Sequence, residues 1–96
     1  MALYLVSYDI SEKDAAYKPL RDFFKRIGAV NILSSGWLVK REPGAANNLY
    51  DQIVALDVRP GRLLVQEVGA DAAWDKLLIT DDDFKTRLRS ARDLNR

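Results

Sequence analysis

The chain opens on a nearly continuous apolar run, "LYLVSYDI" (Leu3 to Ile10), broken only near its end by Asp9. Apolar side chains at consecutive positions suit a strand buried on both faces. The pattern then changes period. Leu20, Phe23, Phe24 and Ile27 fall at i, i+3, i+4 and i+7, with Arg21, Asp22, Lys25 and Arg26 between them, which predicts an amphipathic helix. Pro19 fits its first turn, where a missing N–H costs nothing, and Gly28 suits the position just past its end. Ser11 and Asp14 are candidate caps in the preceding turn.

"AVNIL" and "GWLVK" then read as strands separated by Ser34 and Ser35, forming either a tight hairpin or one long bent strand. A second helix carries Ala46, Leu49, Tyr50, Ile53 and Leu56 on one side, and after a Pro-Gly turn Arg62 to Val68 reads as a strand. The order to this point is β-α-β-β-α-β. Helical crossovers between strands predict an α+β fold, a ferredoxin-like βαββαβ sandwich with its first strand in mid-sheet. Two helices cover one sheet face, and the other face needs cover. The tail is expected to provide it, through an appended strand from Trp74 to Ile79 and a C-terminal helix carrying Phe84, Leu88 and Ala91. Residues 1–79 thus form the ferredoxin-like domain and residues 80–96 its helical extension.

Composition narrows the chemistry. Ninety-six residues make a single domain, and no run reaches the length of a membrane span. The start lacks the marks of a signal peptide, and a chain without cysteine is expected in the cytoplasm. Absence of both Cys and His excludes zinc of the usual kind, haem ligation through imidazole, thiol nucleophiles and imidazole acid–base catalysis. A metal site would need oxygen ligands, which suit magnesium, manganese or calcium. A net charge of +1 requires any phosphate-binding surface to be local.

Asp9 is the first candidate, a carboxylate at the end of a central strand. One carboxylate per chain is a poor magnesium site, so two Asp9 residues across a dimer axis make metal binding and dimerisation one expectation. Asp81 to Asp83 are better explained as partners of a helix N-terminus than as a cation site. Lys85, Arg87, Arg89, Arg92 and Arg96 read mainly as a solvated helix face. Lys40, Arg41, Arg59 and Arg62, all near turns, form a second local set of cations. Trp37 and Trp74 are expected as core or dimer-interface anchors rather than base-stacking platforms.

The opening strand ending in Tyr8-Asp9-Ile10, the helix after it, "LSSGWLV" and the chain length together carry a resemblance. The chain resembles the CRISPR-associated small ferredoxin-like endonuclease family, the second of the Cas proteins, and the virulence-associated protein D toxins of the same superfamily. Ser35 and Trp37 match that family's serine followed two residues later by an aromatic. The likeness covers roughly residues 3 to 68 and implies a homodimer with Asp9 from each chain at a shared magnesium or manganese ion. Tyr8 and Ser35 would be its neighbours in phosphodiester cleavage, and RNA or DNA the partner. Lys18, Lys40 and Arg41 are the candidate nucleic-acid contacts. Family nucleases carry arginines early in the first helix, where Ala16 and Lys18 stand here; Asn31 and Leu33 replace an arginine and a glutamine before the serine. The tail also departs from the family's usual ending. A non-catalytic dimeric scaffold or regulatory module is the alternative, and a dimeric α+β barrel acting on small molecules a third.

Overall fold

The computed structural model describes residues 1–9, 17–56, 62–69 and 71–94. The candidate caps Ser11 and Asp14, the strand end Ile10, the helix-start position Ala16 and the cations Arg59 and Arg96 lie outside the described residues, as do the side chains of Ala91 and Arg92. The elements run β1 (Ala2–Asp9), α1 (Tyr17–Arg26), β2 (Val30–Leu33), β3 (Gly36–Arg41), α2 (Ala46–Val54), β4 (Arg62–Glu67) and α3 (Asp81–Leu94). The molecule is an α+β protein whose four strands form one sheet in the order β2-β3-β1-β4, every neighbouring pair antiparallel. Among the described residues no helix is long and apolar enough to cross a membrane.

β1 is interior to the sheet and apolar on both faces. Its even residues Ala2, Tyr4, Val6 and Tyr8 enter a core with Leu20, Phe23 and Phe24 of α1, Trp37 and Val39 of β3, and Leu49 and Ile53 of α2. Its odd residue Leu3 enters a second core with Ile32, Leu38 and Phe84, against which Leu5, Trp74, Leu77, Ile79 and Leu88 pack. The strand period of two thus sends one apolar run into two cores. The Tyr4 hydroxyl, deep in the first, donates to the Glu42 carbonyl at 3.0 Å and accepts from the Ala45 N–H at 2.9 Å. One buried phenol thereby ties β1 to the connection that leads into α2.

α1 begins and ends where its sequence predicts. Pro19 lies in the first turn, and Gly28 adopts φ +77° just beyond the helix. There the Ala29 N–H bonds the Phe24 carbonyl at 2.9 Å and the Gly28 N–H bonds the Lys25 carbonyl at 3.2 Å, the paired closure of a Schellman end. Of the two alternatives for residues 29–40, the hairpin forms. β2 and β3 pair antiparallel around Ser34 and Ser35, with a register shift between Asn31 and Leu33. The Asn31 amide braces the turn, donating to the carbonyls of Leu33 at 2.7 Å and Gly36 at 2.9 Å.

Two expectations change. Tyr50 is 46% exposed rather than on the inner side of α2. Leu49 and Ile53 already define the buried direction, and residue 50 sits about 100° around the helix from 49. The appended strand from Trp74 to Ile79 does not form, since this segment is irregular. Lys76 takes φ 55°, which breaks an extended run, and the Leu78 N–H meets the Ile32 carbonyl at 3.0 Å at the β2 edge. Trp74, Leu77 and Ile79 pack on the second core while Leu78 stays exposed at the edge, so the tail covers part of the second face, by packing rather than by an added strand. α3 follows, capped by Thr80, whose Oγ1 accepts from the Asp83 N–H at 3.1 Å.

Candidate functional site at the Asp9 end of the sheet

Asp9 is the last residue of β1, and the antiparallel register sets it opposite Arg62, the first residue of β4. The Arg62 Nη1 donates to the Asp9 Oδ2 at 3.1 Å, with the two side chains 87% and 66% exposed. An ion pair so open to water contributes about 0–1 kcal/mol to stability. It therefore fixes direction and local charge more than it holds the fold. Ser7, Tyr8, Asp9, Arg62, Leu63 and Leu64 line a shallow depression of about 240 Å3.

The other two expected catalytic positions divide between the faces. Ser35 comes to this end of the sheet, its carbonyl accepting from the Tyr8 N–H at 3.1 Å as β3 begins to pair with β1. The Tyr8 ring goes to the opposite face from Asp9, because neighbouring residues of a strand alternate. It is buried against Phe24, ring centroids 6.0 Å apart, and its hydroxyl accepts from the Trp37 indole N–H at 2.9 Å. Tyr8 therefore serves the helical core, and the Asp9 carboxylate and Tyr8 phenol do not share a reaction space.

The expected nucleic-acid contacts do not gather around Asp9. Lys40 pairs in register with Leu3 and Arg41 with Ala2, at the far end of β1. Asp9 is six steps along the strand from Leu3, about 20 Å at roughly 3.3 Å per residue. Arg41 bonds the Lys40 carbonyl at 3.3 Å and Gln52 Oε1 at 3.4 Å. Lys18 is turned to its own helix, 2.6 Å from Asp22. The cation that meets Asp9 is Arg62, which sequence reasoning placed only in a loose set near turns. The signal that finds it is topological: when β4 runs antiparallel beside β1, the end of one strand faces the start of the other.

Trp37 is buried within one chain. Its ring stacks on Phe24 at 5.1 Å, and the Arg21 guanidinium lies 5.9 Å from the ring centre on α1. Trp74 packs edge-on against Phe84 at 4.6 Å and donates its indole N–H to Asp81 Oδ1 at 3.1 Å. Asp83 pairs with Arg87 at 2.9 Å, so two acids of the "DDD" run have partners inside the tail. Among the described residues no group of three Asp or Glu side chains converges as a metal site. A single carboxylate already beside a guanidinium does not fit magnesium within one chain, since that ion needs an octahedron of oxygens. No protein-family model, no curated protein and no solved structure matches the chain.

Proposed function

We propose that this chain is a nucleic-acid-binding homodimer of ferredoxin-like build, similar to the CRISPR-associated small endonucleases and the virulence-associated protein D toxins. The observation that carries the reading is Asp9: a solvent-exposed carboxylate at the end of an interior strand, in a β2-β3-β1-β4 antiparallel sheet with α1 and α2 packed on its other face. In the enzymatic form of this reading, Asp9 from both chains holds a magnesium or manganese ion for phosphodiester cleavage. Ser35 supplies polar groups nearby, and Tyr8 supports the strand from behind. The second form is a non-catalytic scaffold that grips nucleic acid without cutting it. The Arg62–Asp9 pair favours this form, because a guanidinium already supplies the charge that a cation would bring.

Purified protein incubated with single-stranded RNA and with duplex DNA, in magnesium, manganese or chelator, separates these forms. Metal-dependent cleavage lost in Asp9→Ala, with assembly unchanged, supports the enzyme. Salt-sensitive binding without cleavage supports the scaffold. Neither binding nor cleavage of either polymer, by protein verified as folded, overturns the reading.

A further inference from the structure

The tail closes over the second face of the sheet without filling the space beneath it. On that face Leu5 of β1 stands opposite Leu38 of β3 and Gln66 of β4, so one cross-strand row runs from Val30 through both leucines to Gln66. Above it passes the irregular segment that leads from β4 to α3. Where this segment leaves β4 its residues are small, among them Gly69, Ala72 and Ala73. Side chains of this size leave room over Leu5, and a cavity of about 280 Å3 opens there. Its floor is Leu5, Leu38 and Ile32, the last two buried, and its inner wall is Trp74, Leu77 and Phe84. Leu33, 43% exposed, lines the side open to solvent. Protein interiors keep few voids larger than a water molecule, and an apolar cavity of roughly 150 Å3 is enough to hold benzene. This one has room for an aromatic ring bearing a short chain.

We infer that this cavity binds a small aromatic amine, with the ring on the apolar floor against Trp74 and Phe84 and the ammonium group at the mouth. Charge selects the ammonium. Among the described residues the lining holds two acids, Glu67 and Asp71, and neither Lys nor Arg. Glu67 pairs in register with Tyr4, so strand alternation turns its side chain to the helical face. Asp71, exposed on the segment above, is the carboxylate left for the mouth. Another stands behind the wall, since Asp81 Oδ1 accepts the Trp74 indole N–H at 3.1 Å. Gln66, placed on the cavity side by its pairing with Leu5, adds an amide carbonyl able to accept from an ammonium. Lys40 shares this sheet face one row farther on, opposite Leu3, and does not line the cavity. An anionic ligand would meet like charge here, and a ligand without a ring would forgo the edge and face contacts that Trp74 and Phe84 offer. Asp9 and Arg62 line a different depression, so this site needs neither the metal nor the nucleic acid of the proposed function.

Phenethylamine is the probe, with phenethyl alcohol as its neutral counterpart and hydrocinnamate as its anionic one. In proton–nitrogen NMR titrations of the full chain, the amine is expected to shift the Trp74 indole signal and the amides of Leu5, Leu38 and Leu77. The indole signal of Trp37, which is buried in the other core, is expected to stay in place. The amine is expected to bind at least about tenfold more tightly than hydrocinnamate, with the alcohol between them. Asp71→Asn, at an exposed position, is expected to weaken amine binding about threefold and to leave the alcohol unchanged. Leu5→Phe fills the floor and is expected to abolish binding of all three, with folding checked by circular dichroism and thermal melting. If Leu5→Phe does not fold, Ala72→Leu fills the same space from above. Asp9→Ala is expected to bind the amine as wild type does. No shift at Trp74, Leu5 and Leu38 with millimolar amine, equal affinity for amine and carboxylate, or undiminished binding by a folded cavity-filling variant would overturn the inference.

Discussion

Tyr8 and Asp9 are adjacent in sequence and belong to different parts of the molecule. The Tyr8 hydroxyl accepts the Trp37 indole N–H in the core, while Asp9 stands in solvent beside Arg62. Tyr8→Phe leaves a buried indole donor without this acceptor, so a loss of about 1–3 kcal/mol is expected in urea unfolding. The same variant is expected to bind nucleic acid as wild type does; equal stability in urea would show that Trp37 finds another acceptor. Asp22 offers a second residue-scale test. Its carboxyl is held below the ordinary value of 3.8, chiefly by the hydrogen bond from Lys18, against desolvation and with help from the charges of Lys18, Lys25 and Arg21. A depressed folded pKa stabilises above the unfolded value, and that contribution is lost as pH falls through the folded one. An NMR titration should place the Asp22 midpoint below 3.8 in the wild type and closer to 3.8 in Lys18→Ala. The exposed position of Asp9 was legible from its place at the end of an apolar run. Its partner was not, because a 53-residue separation becomes a contact only once strand order and register are known.

At the scale of elements, local period decided what could be read. α1 was legible from one stripe and two punctuating residues, Pro19 and Gly28, each acting within a turn of its own position. The segment around Trp74 to Ile79 was not, because its apolar residues resemble a strand's and only tertiary packing shows that they lie on the sheet. That packing makes α3 and its approach a structural lid on the second core. Phe84 is its anchor, buried on β1 and Trp74, and Phe84→Ala is expected to cost about 3–5 kcal/mol. Removing the Thr80 cap by Thr80→Ala is expected to cost about 1 kcal/mol. Both are read by chemical denaturation. If Phe84→Ala cost no more than Thr80→Ala, α3 would be an attached helix rather than part of the core.

Over the whole molecule, charge is nearly balanced, so the proposed nucleic-acid binding would depend on where the cations lie and not on how many there are. Arg62 sits at the Asp9 end, bound to a carboxylate; Lys40 and Arg41 sit at the other end of the sheet, with Lys40 exposed. Phosphate contacts are then expected from Lys40 and Arg41, at the end of β1 away from Asp9. Each phosphate neutralised on duplex DNA contributes about −0.9 to the slope of log affinity against log salt. The Lys40→Glu, Arg41→Glu double variant should therefore bind duplex DNA more weakly, with a slope shallower by about two per bound chain, while sedimenting as wild type. Arg62→Glu, at a guanidinium already engaged by Asp9, should leave that slope nearly unchanged. If instead Arg62→Glu flattened the salt slope and the double variant left it unchanged, nucleic acid would lie across the Asp9 end.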